Sequence, residues 1–483
     1  MINHKRMPLI EALESYYKEN VVPFDVPGHK HGKGLKEYDD FLRKYGMELD
    51  VNSMKSLDMI SNPTSVIKEA EDLLADAYGA DYSFFMIGGT TSAVQAMIMS
   101  SVNPGEKIII PRNAHKSAIN GLILSGAIPV YIQPEIDEKI GIAMGMSIDN
   151  IKEAIKNNSD SKAIFVINPT YYGITSDLKA IIELAHKNNM VVLSDEAHGA
   201  HFAFHSELPS SGIKLGADMA AVSLHKTGGT LTQSSALLMN KNKSVDYNHL
   251  RNTINLTLTT SASYFLMASI DFARKKLVLD GEKYLHEILS ISRKYRVLIN
   301  EIPGLYAFGK ELIDNVGVHD FDETKLSVNV TNLKLNGYEV YDLLREKYHI
   351  QAELADDKNV LFIISLGDDE YSVGVLYNAL KEIGEKYTGG NKQDLRKTLN
   401  NPEVIVSPRN AYYSTKKTVL LTDAIGEISG ESVMVYPPGI PIITPGERIS
   451  SEIVEYISFL KKQDTVITGP DDPEVKFIKV LGM

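Results

Sequence analysis

Short apolar segments alternate with helical segments along residues 66–240, and this alternation constrains the fold more than any other feature of the sequence. Strands are predicted at Tyr82–Ile87, Lys107–Ile110, Ile128–Ile132, Ala163–Ile167, Val191–Ser194 and Ala220–Leu224. Helices are predicted at Ser65–Tyr78, Ser92–Ser100, Lys116–Gly126 and Leu178–Asn188. Strands that alternate with helices form a mostly parallel sheet covered by helices on both faces. The sequence therefore predicts an α/β domain.

The rest of the chain predicts smaller units around this domain. A long helix is expected at about Ser261–Asn300, and residues 325–385 follow the order strand, helix, strand, helix, which predicts an α+β layer. Residues 397–483 are rich in proline and glycine turns, which predicts a small subdomain. We divide the chain into an N-terminal arm or linker (1–60), a large domain (61–300), a small α+β domain (301–390) and a C-terminal subdomain (391–483).

Two features are expected within the N-terminal arm. Residues 7–18 place Leu9, Ile10, Leu13 and Tyr17 on one helical face, so we expect a helix that docks on an apolar surface. Pro23–Gly34 combines Gly, Pro, His and Lys and is predicted to be a loop.

Composition excludes several classes of function. The 483 residues carry 50 Lys and Arg against 62 Asp and Glu, a net charge of −12, which argues against a nucleic-acid partner or an anionic membrane surface. The chain has no cysteine, so disulfides, thiolate nucleophiles and cysteine-based metal sites are excluded. We find neither a signal-peptide pattern nor an apolar run of membrane-spanning length. We therefore expect a soluble, cytoplasmic protein.

Polar residues at two strand ends predict the chemistry. Asp195 follows one predicted strand, and Ser223, His225 and Lys226 lie at the end of another. Ligands of open α/β sheets bind beyond the carboxyl ends of the strands. Pyridoxal phosphate needs a lysine for its aldehyde and an acid for its pyridine nitrogen, and its phosphate needs backbone N–H groups at a helix N-terminus. Lys226, Asp195 and the turn Gly88–Ser92 supply these groups, and their joint occurrence carries the prediction.

With these residues in place, the chain resembles the Orn/Lys/Arg decarboxylases of fold type I. The similarity is to their short bacterial, arginine decarboxylase-like form, which lacks the N-terminal wing domain. The motifs that carry the resemblance lie at residues 25–34 (DVPGHKHGKG), 78–100, 111–117 (PRNAHKS), 168–173 (NPTYYG), 194–201 (SDEAHGAH), 223–229 (SLHKTGG), 259–264 (TTSASY) and 436–447. The resemblance implies an aspartate aminotransferase-like large domain with pyridoxal phosphate as cofactor.

The resemblance also implies roles for individual residues. Lys226 holds the cofactor aldehyde, Asp195 pairs with the pyridine nitrogen, and His115 and Ala197 contact opposite faces of the ring. The implied catalytic residues are Lys226, His115, Asp195 and His225. The implied cofactor contacts further include Gly89, Thr90, Thr91, Ser92, His198 and Ser223, and Thr260 and Ser261 near the phosphate of a partner subunit. Substrate contacts are expected from His29, Glu353 and Glu431.

The implied reaction is removal of the α-carboxylate of a basic amino acid. L-Arginine, giving agmatine and CO2 for polyamine biosynthesis, is the first expectation, and lysine and ornithine are the alternatives. The implied assembly is a homodimer or a higher homo-oligomer. The chain departs from the family at Gly88, where Asn is frequent, and at Ala262, where Pro is frequent.

Other functions are compatible with parts of the sequence. Asp-Glu-Ala-His also occurs in helicases, but the phosphate loop that a helicase requires is missing. His198, His201 and His205 have spacings suited to a metal, with Asp195 as a further ligand, so a metallohydrolase is an alternative. A metallohydrolase would explain none of the residues around Lys226, so we predict no metal. An aminotransferase and a homologue that has lost catalysis remain open, although the second has no need to retain Lys226.

Overall fold

The computed structural model describes residues 7–241, 244–390, 400–435, 440–462 and 467–482. The N-terminal segment contains α1 (Pro8–Lys18), β1 (Val22–Phe24) and α2 (Lys36–Tyr45). The helices of the following large layer are α3 (Val66–Tyr78), α4 (Gly89–Ser101), α5 (Lys116–Ser125), α6 (Ile148–Asn157), α7 (Leu178–Lys187), α8 (Gly212–Leu215), α9 (Tyr247–Thr257) and α10 (Tyr264–Asn300). Its strands are β2 (Tyr82–Met86), β3 (Lys107–Pro111), β4 (Ile128–Ile132), β5 (Ile136–Asp137), β6 (Ile142–Ala143), β7 (Ala163–Ile167), β8 (Ile174–Thr175), β9 (Val191–Glu196), β10 (Met219–Val222) and β11 (Ser235–Met239).

A seven-stranded sheet forms the centre of the molecule, in the order β2-β11-β10-β9-β7-β3-β4. The pairs from β10 to β4 are parallel, and β11 runs antiparallel to both of its neighbours. Every residue of β9 is buried, because helices cover both faces of the sheet. The predicted α/β fold with a mostly parallel sheet is confirmed.

The small layer packs beside the long helix α10. It contains β12 (Tyr306–Phe308), β13 (Asp320–Phe321), β14 (Lys325–Asn329), α11 (Gly337–Tyr348), β15 (Ile350–Ala352), β16 (Leu354–Ala355), β17 (Asn359–Ile363) and α12 (Glu370–Tyr387). Strands β12, β14, β17 and β16 form an antiparallel sheet. The C-terminal elements are α13 (Pro408–Tyr413), β18 (Lys416–Leu420), β19 (Val433–Val435), β20 (Ile440–Ile443), α14 (Ser451–Lys462), β21 (Ile467–Thr468) and β22 (Phe477–Leu481). Residues 436–439 of the last family motif lie outside the described residues.

The N-terminal segment departs from expectation in two ways. Helix α1 forms, but Leu9 and Tyr17 are 72% and 85% exposed, so its apolar face docks on no surface of the described chain. Val22–Phe24, which overlaps the predicted loop, pairs in parallel with β15. Pro23 interrupts the strand pattern in the sequence, but Phe24 is fully buried in the small layer. Among the described helices, none is long and apolar enough to cross a membrane.

Candidate active site

The carboxyl ends of β9 and β10 lie side by side and face a large cavity. Their register pairs Ala221 with Asp195 and Val222 with Glu196, so Asp195 lies one residue before the level at which the turn after Val222 begins. The cavity has a volume of about 740 Å³. Ten of the residues predicted for the site line it: Gly89, Thr90, Thr91, His115, Asp195, Ala197, His198, Ser223, His225 and Lys226.

Lys226 projects from a π-helical turn, Leu224–Gly228, that follows β10. Its Nζ lies 2.9 Å from Nε2 of His198 and 5.1 Å from the ring centroid of Tyr171. Burial lowers the pKa of the Lys226 ammonium group, while the carboxylates of Glu353 and Asp195 raise it. A lysine with a lowered pKa has more of the neutral, nucleophilic amine near neutral pH.

Asp195 is the second charged group at the end of the sheet. Its Oδ1 accepts a hydrogen bond of 3.1 Å from the N–H group of Ala197, which holds the carboxyl group at the cavity wall. Burial raises the pKa of Asp195, while the Ala197 N–H and the charge of Lys226 lower it. A cationic partner in the cavity would favour the ionised carboxylate further.

The N-terminus of α4 supplies hydrogen-bond donors to the same cavity. The helix begins at Gly89, and the N–H groups of its first turn have no partner within the helix. The Thr90 and Ser235 hydroxyls are 2.9 Å apart, and the Ser223 hydroxyl lies 3.0 Å from Nδ1 of His225. A helix N-terminus surrounded by hydroxyl groups is suited to binding an anion such as a phosphate.

The three lining histidines are neutral at neutral pH. Burial and the charge of Lys226 lower the pKa of His115 and of His225 to about 4. The same two causes hold the pKa of His198 well below its usual value. Neutral imidazoles place no further positive charge beside Lys226 and can contact an aromatic ring.

Several predicted residues lie away from the cavity wall. Ser92 is buried in the first turn of α4, where its Oγ donates to the carbonyl oxygen of Gly89. Thr260 and Ser261 are exposed between α9 and α10. Nδ1 of His29 accepts the Gly32 N–H inside its own loop.

The two glutamates expected at the substrate have other partners in this chain. Oε2 of Glu353 accepts the Val26 N–H at 2.9 Å, behind the Lys226 turn. Both carboxylate oxygens of Glu431 accept backbone N–H groups of the C-terminal layer, from Asp471 and Lys479. The structure therefore brings neither of them into the cavity lining, and Glu431 fixes a turn in its own subdomain.

The structure also adds residues that the motifs did not predict. Tyr171 packs against His198 with its ring tilted by 55° and the ring centroids 4.3 Å apart, and it faces Lys226. Arg112 lines the cavity and forms a buried bidentate pair with Glu447. All three residues lie in motifs of the resemblance, at 168–173, 111–117 and 436–447, so their positions carried a signal. The motifs do not indicate that Arg112 pairs with Glu447, which is 335 residues away.

The three histidines of the metal hypothesis separate in the structure. His198 contacts Lys226, Nε2 of His201 lies 3.3 Å from Oδ1 of Asp322, and Nδ1 of His205 accepts the Glu207 N–H. They follow β9 in a turn and a short 3-10 helix, so their spacing does not place them on one helical face. The arrangement therefore gives no support to a site built from these three residues.

The architecture is that of the fold type I enzymes. A lysine decarboxylase from Francisella novicida superposes with a TM-score of 0.77 at 21% identity, covering 94% of this chain and 78% of that one. The constitutive lysine decarboxylase of Escherichia coli superposes with a TM-score of 0.73 at 20% identity, over 98% and 82% of the two chains. The serine palmitoyltransferase of Sphingomonas wittichii superposes with a TM-score of 0.55 at 16% identity, covering 73% of this chain and 84% of that one.

Sequence comparison identifies the family. The family model "Orn/Lys/Arg decarboxylase, major domain" matches residues 7–372, and "Orn/Lys/Arg decarboxylase, C-terminal domain" matches residues 392–472. The chain belongs to the Orn/Lys/Arg decarboxylase family. It is 41% identical to the arginine decarboxylase of Bacillus anthracis over 98% of this chain and 97% of that one. It is 40% identical to the arginine decarboxylase of Bacillus subtilis, again over 98% of this chain and 97% of that one. It is 23% identical to lysine decarboxylase LdcA of Pseudomonas aeruginosa, over 96% of this chain and 77% of that one.

Proposed function

We propose that this protein is a pyridoxal phosphate-dependent arginine decarboxylase that converts L-arginine to agmatine and CO2. The observation that carries the choice of substrate is the identity of 40–41% over nearly the whole length of relatives named arginine decarboxylase. Relatives named lysine decarboxylase are 22–23% identical. Agmatine formation is a step towards polyamines, which is the role we propose for the enzyme in the cytoplasm.

The donor set of the cavity fits pyridoxal phosphate. Lys226 supplies an amine for the aldehyde, Asp195 a carboxylate for the ring nitrogen, and the α4 N-terminus N–H groups for the phosphate. His198 supports the fit, because its Nδ1 is buried without a hydrogen-bond partner among the described residues. Buried polar atoms are normally satisfied, so an unpaired nitrogen on the imidazole whose other nitrogen, Nε2, contacts Lys226 is compatible with a ligand. The volume of about 740 Å³ also lies in the range of cofactor and substrate sites.

When bound, the cofactor supplies an electron sink for the charge left at Cα as the carboxylate departs. Asp195 would accept a hydrogen bond from the protonated ring nitrogen and stabilise its positive charge. His115, the N-cap residue that precedes α5, is fixed because its Nδ1 accepts the Ser117 N–H at 3.2 Å. We assign His115 and Ala197 to the two faces of the ring, where they orient it and exclude water.

Decarboxylation requires a proton to replace CO2 at Cα, and we assign its delivery to Nζ of Lys226. His225 was the other candidate from the sequence. Its Nδ1 lies 3.0 Å from the Ser223 hydroxyl and 3.3 Å from the Ser234 carbonyl oxygen, and its pKa is lowered to about 4. A neutral imidazole with its proton directed at a carbonyl oxygen is a poor donor to substrate. Lys226 Nζ lines the same cavity and shares a hydrogen bond of 2.9 Å with His198, so it is the donor that we choose.

The cationic end of the substrate requires a carboxylate. Besides Asp195, the acidic residues that line the cavity are Glu138 and Asp356. Lys358 contacts both of them: its Nζ donates to the carbonyl oxygen of Glu138, and its backbone N–H donates to Oδ1 of Asp356. Oδ2 of Asp356 accepts the Tyr172 hydroxyl at 2.5 Å, so this carboxylate is already well satisfied. We therefore assign Glu138, in the turn between β5 and β6, to the guanidinium group.

We also propose that the enzyme is a homodimer. Thr260 and Ser261, which the family resemblance places near a partner's phosphate, are exposed in this chain, and Leu256 beside them is 76% exposed. A second copy would cover this face. Sedimentation should give twice the mass of one chain, and a monomer with full activity would contradict the proposal.

The function is tested with three substrates. The purified protein with added cofactor is incubated separately with arginine, lysine and ornithine, and both CO2 and the amine product are measured. We expect agmatine with the highest kcat/KM. A higher kcat/KM for lysine or ornithine would reassign the substrate, whereas a keto acid without CO2 would identify an aminotransferase. No turnover of any of the three would contradict the proposal altogether.

A further inference from the structure

The loop at residues 25–34, which carries the motif DVPGHKHGKG, lies behind the turn that bears Lys226. None of its residues lines the cavity. Gly28 nevertheless donates its N–H to the carbonyl oxygen of His225 at 2.9 Å. The loop thus contacts the main chain next to the reactive lysine rather than the contents of the cavity.

Gly28 lies so close to this turn that no side chain fits. A Cβ atom at this position would lie 2.6 Å from the carbonyl oxygen of Lys226 and 3.3 Å from its carbonyl carbon. These two atoms belong to the backbone, so they cannot move away by a change of side-chain rotamer. A glycine is what permits two main chains to approach this closely.

The opposite side of the loop is anchored to the small layer. The Ser365 hydroxyl donates to the carbonyl oxygen of Gly28 at 2.9 Å, and the Val26 N–H donates to Oε2 of Glu353 at 2.9 Å. Buried Lys30 donates to the carbonyl oxygens of Asp25 at 2.6 Å and Ile363 at 3.1 Å. The loop is therefore held on one side by the end of β17 and contacts the Lys226 turn on the other.

We infer that Gly28 is a positioning residue for Lys226, and that through Ser365 it makes the position of the lysine depend on that of the small layer. The inference rests on the function proposed for Lys226. A displaced turn would move Nζ from its 2.9 Å contact with His198. Misplacement of a reacting group by about 1 Å can cost about a hundredfold in rate.

The test compares Gly28→Ala with Gly34→Ala in the cofactor-loaded enzyme. Gly34 belongs to the same loop, and a Cβ there would lie 2.9 Å from the N atom of Gly367 and 3.1 Å from Cα of His29, without contacting Lys226. Both variants therefore disturb the loop, but of the two new Cβ atoms only that at position 28 has the backbone of Lys226 among its three nearest atoms. The readouts are the pH titration of the absorbance of the bound cofactor, the cofactor dissociation constant, kcat and the melting temperature.

For Gly28→Ala we expect a kcat lowered by about tenfold or more, and a midpoint of the absorbance titration moved by about half a pH unit or more. Gly34→Ala should lower the melting temperature but leave the midpoint unchanged. Ser365→Ala, which removes the bond to Gly28, should move the midpoint in the same direction by less. If both glycine variants lower the melting temperature equally and neither moves the midpoint of the absorbance titration, the loop has only a structural role and the inference is overturned. A wild type that binds no cofactor would instead overturn the proposed function.

Discussion

Glu196, the second residue of the Asp-Glu-Ala-His motif, permits a quantitative prediction of pH-dependent stability. It points away from the cavity and is fully buried. Its Oε1 accepts hydrogen bonds from the Ser194 hydroxyl at 2.9 Å, the Asn168 amide at 3.3 Å and the Gly212 N–H. Its Oε2 is buried without a hydrogen-bond partner among the described residues. Burial raises the pKa of this carboxyl group from 4.5 to about 7, against the lowering effect of its donors.

The magnitude follows from linkage between folding and protonation. A folded pKa of about 7 against an ordinary value of 4.5 corresponds to about 3 kcal/mol. Because the folded pKa is raised, this stabilisation is fully present below about pH 4.5 and is lost as the pH rises to about 7. Glu196→Gln removes the titration. The unfolding free energy of the wild type minus that of the variant should therefore fall by about 2–3 kcal/mol between about pH 5 and about pH 8.

Urea unfolding of both proteins at a series of pH values measures this difference directly. Taking the difference cancels any constant cost of the buried amide. Glu183→Gln, at an exposed position on α7, is the control for loss of one carboxylate from the protein surface. A difference for Glu196→Gln that is flat with pH, or one that rises with pH, would show that this carboxyl group does not have the raised pKa.

Two further predictions concern the cavity wall. Asp195→Asn should retain cofactor absorbance but lower kcat/KM by about a hundredfold or more, because each loss of about 1.4 kcal/mol of transition-state stabilisation costs tenfold; turnover near that of the wild type would remove Asp195 from the mechanism. Glu447→Gln leaves the guanidinium of Arg112 buried without its charged partner, and it should destabilise the protein by about 3–5 kcal/mol in urea unfolding. A loss below about 1 kcal/mol would show that this pair contributes little to holding the C-terminal layer against the cavity.

Much of the central sheet could be predicted because its strands are continuous apolar runs. Ile128–Ile132 and Ala163–Ile167 have the predicted bounds. The second strand lies inside the sheet and is buried over four of its five residues, whereas the first is an edge strand and is half-buried at three of its five. The neighbouring positions of Asp195 and Lys226 also followed, because the carboxyl ends of parallel strands lie along one edge. The strand bounds and the proximity of Asp195 to Lys226 could therefore both be inferred from the local sequence.

The missed elements depend on contacts that the sequence does not reveal. Helix α9 is rich in asparagine and threonine, which favour loops, but Leu250 and Ile254 are fully buried and Arg251 pairs with buried Glu71. Tertiary packing overrides its weak propensity. Strand β11 is a short apolar run that local pattern alone does not assign, and its place between β2 and β10 requires knowledge of the whole sheet.

Site residues separate in the same way. The site residues at strand ends were predicted. The Arg112–Glu447 pair could not be predicted, because it joins residues from different layers. Glu431 was expected at the substrate because it is acidic and follows the family pattern. In the structure two backbone N–H groups of its own subdomain take up its carboxylate. An acidic residue type does not indicate which donors the fold will offer it.

Reduction of the cofactor-loaded protein with borohydride, followed by peptide mass spectrometry, tests whether Lys226 holds the cofactor. We expect the yellow colour to be lost and one peptide, containing Lys226, to gain the mass of the reduced cofactor. Lys226→Ala should gain no such mass. A modified lysine elsewhere, or a variant that still traps the cofactor, would contradict this assignment.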